Sequence, residues 1–152
     1  MQLRLLVGLT ALLSAAGLCL ADTFVGGVIS IDTTWTPADS PYIVGADIMV
    51  ANNATLSIEP GVQVRFDPGM TLEVALGKLL AQGSEDDMIH FTANVPGVVT
   101  ESDHWGCIEL SKGSSGSVIE HAIIEYAGHN TQGAIRAIGD GRGLHELARD
   151  LR

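Results

Sequence analysis

Residues 47–92 read DIMVANNATLSIEPGVQVRFDPGMTLEVALGKLLAQGSEDDMIHFT, a row of short strand-like bursts broken by turns. The bursts are Ile48-Met-Val50, Thr55-Leu-Ser-Ile58, Val62-Gln-Val-Arg-Phe66, Thr71-Leu-Glu-Val74, Lys78-Leu-Leu-Ala81 and Ile89-His-Phe-Thr92. Within most of them apolar and polar residues alternate, the period of a half-buried strand. They also recur in triplets. Ile48 to Leu72 is 24 residues, Leu56 to Leu79 is 23 and Val64 to Ile89 is 25. Three strands per repeat at that period predict a chain that winds into coils and stacks each coil on the last.

Outward from this stretch, Tyr42-Ile-Val44 leads into the first clear coil, and Asn52-Asn53 and Glu59-Pro60-Gly61 supply turn chemistry. Asn and Gly accept positive φ, and Pro presets its own. A further coil begins at Trp105-Gly-Cys-Ile-Glu-Leu110. Its offsets from the one before are 36 (Leu72 to Ile108), 39 (Leu79 to Val118) and 35 (Ile89 to Ile124). One loop insertion, residues 93–103, absorbs the excess in all of them. Gly133-Ala-Ile-Arg-Ala-Ile138 is placed to begin another coil before Gly139-Asp-Gly-Arg-Gly143 interrupts it. In the tail, Leu144, Leu147, Ala148 and Leu151 fall at i, i+3, i+4 and i+7, which predicts a short helix over 139–152.

At the other end, Arg4, the apolar run Leu5 to Leu18 and the small residue Ala21 form a secretory signal peptide over residues 1–21. That run is short for a membrane span, and the sequence predicts no span after cleavage. Residues 22–41 are expected to cap the open end of the stack, with Trp35 as the covering apolar side chain. Residues 42–138 form the coil domain. Cleavage removes Arg4 from the eight basic residues and leaves 18 acidic ones, a formal charge of −11. Nucleic acid, whose phosphates such a chain would repel, is excluded as a partner. Cleavage also removes Cys19, so Cys107 has no cysteine to pair with.

The segments Thr33-Thr-Trp-Thr-Pro-Ala-Asp-Ser-Pro-Tyr42, Ala54-Thr-Leu-Ser-Ile-Glu-Pro-Gly-Val-Gln-Val-Arg-Phe66, Gly77-Lys-Leu-Leu-Ala-Gln-Gly83 and Trp105-Gly-Cys-Ile108 resemble secreted right-handed parallel β-helix proteins of the pectate-lyase-like superfamily. The resemblance spans about Thr33 to Gly128. It implies an all-β, right-handed parallel β-helix, here of about three coils. It speaks weakly to activity, because the superfamily holds polysaccharide lyases and hydrolases beside many surface proteins. A lyase of this kind would set an Arg or Lys base beside bound calcium. Arg65 has no acid-rich partner set in the sequence, so that role carries over to no residue.

Stacked coils place equivalent residues about 4.8 Å apart, so the repeat predicts ladders of outward side chains. One stacks Met49, Glu73 and Glu109; another stacks Arg65, His90 and Glu125. On the remaining face Ser57 and Leu80 align, and Val118-Ile-Glu-His121 reads in either phase. Glu73 over Glu109 is the sharpest catalytic candidate. Two close carboxylates raise one pKa to give an acid–base pair, or share a hard cation such as calcium. The plainer reading is two solvated acids on an exposed sheet, with no cofactor. Arg65 and His90 are ligand-binding candidates, against a plainer role in cross-strand stabilisation. His104 and Trp105 together could contact a sugar, although a Trp in such a place more often covers the edge of a core. His104, His121 and His129 are too scattered for a metal motif. Cys107 lacks a base partner and reads as a small buried thiol.

The expected function is therefore a secreted or cell-surface module, non-catalytic, either structural or weakly carbohydrate-binding, with a polysaccharide or cell-surface glycan as partner. The alternative is a polysaccharide lyase or glycoside hydrolase, or a fragment of one. An exposed terminal coil would also allow self-association by strand addition.

Overall fold

The computed structural model describes residues 21–129, 133–138 and 148–151. All strand pairings in it are parallel, and they build a parallel β-helix. The first coil consists of β1 (Thr23–Ile29) and β2 (Thr33–Trp35), the second of β3 (Tyr42–Val50) and β4 (Thr55–Ile58). The third runs through β5 (Gln63–Phe66), β6 (Leu72–Val74) and β7 (Lys78–Gln82). The fourth uses β8 (Ile89–Ala93), β9 (Ile108–Leu110) and the first half of β10 (Val118–Ile124). A fifth continues with the second half of β10, β11 (Ile135–Ala137) and β12 (Ala148–Leu151).

These strands lie on three faces. Face A stacks the second halves of β1 and β3, then β6, β9 and β11. Face B stacks β2, β4, β7, the start of β10 and β12. Face C stacks the first halves of β1 and β3, then β5, β8 and the end of β10.

Alternation decides what fills the bore. On face A, Ile48, Leu72 and Ile108 stack inward, as do Val50, Val74 and Leu110. On face B, Leu56 meets Leu79, and Ile58 meets Ala81, which meets Ile119. All are buried, and each such side chain contributes roughly 1.5–3 kcal/mol. Aromatic pairs thicken the core at two levels. Trp35 stacks on Tyr42 at 4.7 Å near the first coil, and Phe66 stacks on Trp105 at 4.1 Å in the middle.

At the corners, where the ladder lapses, polar side chains take over. Asp32 Oδ1 accepts from Thr55 N at 2.8 Å, Ser40 Oγ from Gln63 N at 2.9 Å, Asp47 Oδ1 from Thr71 N at 2.9 Å and Ser117 Oγ from Leu79 N at 3.1 Å. Each bond joins one coil to a neighbour and satisfies an amide that would otherwise be orphaned. Asn52 and Asn53 both adopt φ of 60°, the left-handed turn their side chains favour.

Several expectations are corrected here. Val64 pairs with Phe91 rather than Ile89, and Ile89 pairs with Ala122 rather than Ile124. A slip of two residues leaves every side chain on the same face, so alternation alone is blind to it. The surplus sits in the corner at Ser84–Asp87, closed by Asp87 N donating to Ser84 Oγ at 3.0 Å. Val118 pairs with Leu80, which points Ile119 inward and settles the phase of face B. The segment expected as a cap, residues 22–41, pairs through β1 and β2 as a full coil, so the stack has four complete coils and part of a fifth. In the tail expected to be helical, Ala148–Leu151 is a strand along β10, while 139–147 lie outside the described residues. The open edge of β10 offers a row of unpaired backbone groups, and a nine-residue helix on its own is marginal. The expected signal peptide also falls outside the described residues, apart from Ala21. Among the described residues no helix is long and apolar enough to cross a membrane.

Candidate functional site

The register places an outward ladder on face C that differs from the expected one. Arg65 lies beside Thr92, and Thr92 beside Glu125; His90 lies instead between Gln63 and Ile123. Arg65, His90 and Glu125 therefore do not stack together. The pairing slip that moved Val64 from Ile89 to Phe91 moved them apart.

Arg65, Thr92 and Glu125 form the floor of a groove of about 410 Å³, also lined by Gln63, Asn94 and Tyr126. The loop through Val95–Val99 walls one side. Thr92 Oγ1 donates to Glu125 Oε1 at 3.2 Å, and Arg65 Nε donates to Gln63 Oε1 at 3.0 Å. That is the one partner of the Arg65 guanidinium among the described residues, which leaves its other N–H groups for a ligand. Asn94 Nδ2 donates to Asp67 Oδ1 at 2.8 Å, tying the root of the loop to the coil below.

The floor is stiff because of what lies beneath it. Phe66 and Trp105 stack 9° from parallel, and Trp105 Nε1 donates to Glu125 O at 2.9 Å. Trp105 is fully buried, so it cannot contact a sugar as its candidacy required. Its size and its one N–H donor suit it to hold the corner from inside. That corner turns outward at Tyr126, which has a φ of 59° and is 42% exposed. The Tyr126 ring lies 6.2 Å from that of His104, tilted by 48°. The aromatic ring beside His104 at the surface is therefore that of Tyr126, not of Trp105.

The wall has its own clamp. In the turn Glu101–Asp103, Thr100 donates to Asp103 Oδ2 through both its N–H and its hydroxyl. The Thr100 hydroxyl and amide hold the Asp103 carboxyl below the usual aspartate range.

Face A behaves differently. Met49, Glu73 and Glu109 stack as the repeat predicts, and Arg136 follows on the next coil. Arg136 Nη2 meets Glu109 Oε2 at 3.0 Å. Ser111 Oγ lies 3.1 Å from Glu73 Oε1 and 3.2 Å from Glu109 Oε1, within reach of donating to either. The two carboxylates are brought together as expected, and a hydroxyl and a guanidinium come with them. Below this ladder Cys107 is buried; burial pushes its thiol up, Glu109 adds to the rise and Arg136 opposes it. That thiol is not poised as a nucleophile. Among the described residues no three His, Cys, Asp or Glu side chains converge to hold a metal ion.

Sequence reasoning missed Thr92, Asn94 and Tyr126 because the two-residue slip hid their neighbours. Arg136 was within reach, since the sequence places Gly133–Ile138 at the start of another coil, and Arg136 pairs there with Glu109.

Compared with protein-family models, curated proteins and solved structures, the chain matches none.

Proposed function

We propose that this chain is a secreted or cell-surface module that binds a short stretch of glycan in the face C groove without cleaving it. The groove carries the proposal. It sets charged and neutral hydrogen-bonding groups, Arg65, Thr92 and Glu125, on a stiff strand floor next to the exposed ring of Tyr126. Sugars are recognised by that combination: hydroxyls exchange with directional polar groups, and the C–H face of the ring lies on an aromatic. The volume falls within the usual range for a small-ligand site.

The resemblance to secreted right-handed β-helix proteins of the pectate-lyase-like superfamily supports the same placement, as does the apolar leader. The Glu73–Glu109 pair supports the competing reading, a polysaccharide lyase or glycoside hydrolase. Its carboxylates already face Ser111 and Arg136, which favours a structural role.

A polysaccharide panel tests both readings, with binding and release of reducing or unsaturated ends measured on the same samples, with and without calcium. Saturable binding that Arg65→Ala weakens, without end release, is the expected result. End release abolished by Glu73→Gln or Glu109→Gln would replace this reading with the enzymatic one. No binding by any glycan would leave the structural module.

A further inference from the structure

Among the described residues that line the face C groove, Arg65 is the one cation and Glu125 the one anion. They do not neutralise each other. Arg65 pairs with Thr92 in the strand register, and Thr92 reaches Glu125 on the next rung, so their backbones stand two rungs, about 10 Å, apart. Each meets a neutral group of the protein instead. The Arg65 guanidinium donates to the Gln63 side-chain amide, and the Glu125 carboxylate accepts from the Thr92 hydroxyl. Asp67, the acid nearest to Arg65 along the chain, accepts from Asn94. A ligand lying in the groove therefore meets a positive end and a negative end.

The charge on the ligand decides how well it fits both. A neutral glycan covers two ions without supplying a counter-charge, and ions taken out of water unpaired are penalised. A uniformly anionic glycan satisfies Arg65 but lays an acidic group against Glu125, on a chain with 18 acidic and eight basic residues. A uniformly cationic one fails at Arg65. The Glu125 end has a second feature suited to an amine. Tyr126, 42% exposed, follows Glu125 directly and also lines the groove, and an ammonium is attracted both to a carboxylate and to an aromatic face. At the opposite end the planar guanidinium of Arg65 matches a carboxylate.

We infer that the glycan held in this groove is of mixed charge, with an acidic group on Arg65 and a free amine on Glu125, and that Glu125 turns polyanionic glycans away. This rests on the glycan reading of the groove and names the class of glycan within it. The rungs also set a direction. The sugar chain runs along the stack axis, its acidic unit over β5 and its amino unit beside the end of β10.

Calorimetry at about 50 mM NaCl, where the charges are little screened, tests this with four oligosaccharide probes. N-deacetylated hyaluronan carries carboxylates and amines on alternating sugars. Polygalacturonate carries carboxylates alone, chitosan amines alone, and cello-oligosaccharides neither. The first should bind at least roughly tenfold more tightly than each of the others. Glu125→Gln should erase its margin over polygalacturonate, and Arg65→Gln its margin over chitosan. Glu125→Lys should go further and make polygalacturonate the tightest ligand, a gain that a misfolded variant cannot produce. If the wild-type chain bound any neutral or singly charged probe as tightly as the mixed one, the inference would be overturned and glycan binding would stand. A Glu125→Lys chain that keeps its circular-dichroism spectrum and still rejects polygalacturonate would overturn it as well. So would binding of none of the four, and the wider polysaccharide panel then decides glycan binding itself.

Discussion

Faces A and C carry outward ladders over the same coils, and they differ in how their charges are met. On face A, Glu73 and Glu109 sit on adjacent rungs with Ser111 between them and Arg136 on the next. On face C, Arg65 and Glu125 are kept two rungs apart by Thr92, and Arg65 spends a single N–H on Gln63. The first ladder is closed on itself, and the second is left open beside a groove. A repeat fold makes the ladders; which residues fall on adjacent rungs decides whether a ladder braces the protein or meets a ligand.

The largest expected effect breaks the comparison by removing what supports face C from within. Trp105→Ala deletes the partner of Phe66 and the donor to Glu125 O, and should cost about 3–5 kcal/mol, read by urea unfolding. Glycan affinity should fall in the fraction still folded, because the corner carrying Glu125 and Tyr126 loses its tether. A change near 1 kcal/mol would mean that the aromatic stack does not support the groove.

Arg65→Ala then separates ligand chemistry from stability. Calorimetry should show glycan binding weakened roughly tenfold, equivalent to about 1.4 kcal/mol. Thermal stability should stay within about 0.5 kcal/mol, since the side chain gives up one hydrogen bond at a partly open surface. Arg65→Lys should restore only part of the affinity, because an ammonium cannot reproduce the planar fork. The mirror experiment is Ser111→Ala on face A. It removes the hydroxyl that reaches both carboxylates and should destabilise by about 0.5–1.5 kcal/mol while leaving glycan affinity unchanged. If binding fell with Ser111→Ala, the contrast between the faces would fail.

The architecture was legible because burial repeats. Ile48, Leu72 and Ile108 recur where three strands per coil require them, and their spacing places Glu73 over Glu109 without coordinates. Face C was misread because Ile89 and Phe91 are both apolar, point the same way and differ by one pleat, so nothing in the alternation distinguishes them as the partner of Val64. The hydrogen-bonded corner at Ser84–Asp87 decides between them. Trp105 was ambiguous for a related reason: a Trp after a polar loop looks alike whether it covers a core or a sugar, and only the position of Phe66 resolves it. Ala148–Leu151 shows the reverse case, in which helical spacing yields to a strand edge that needs a partner.

The smallest expected effect sharpens the comparison at the wall of the face C groove, which has a proton-sensitive clamp of its own. Asp103 is held below 3.8 by the Thr100 hydroxyl and then by the Thr100 amide. A carboxyl whose folded pKa lies below its unfolded one contributes fully above the unfolded value, and loses that contribution as pH falls through the folded one. The clamp should therefore hold throughout the neutral and mildly acidic range and release only at pH below 3.8. An NMR titration of the Thr100 amide reads this directly, with an expected midpoint under that of an ordinary aspartate, and Asp103→Asn should abolish the transition. Asp103 is half-buried at the surface, so the release should register as local loosening of the turn at Glu101–Asp103, with the bore residues beneath undisturbed. A midpoint at or above 3.8 would show that Thr100 does not hold the carboxyl in solution, and the wall would then be tied by the Asn94–Asp67 bond and its backbone hydrogen bonds.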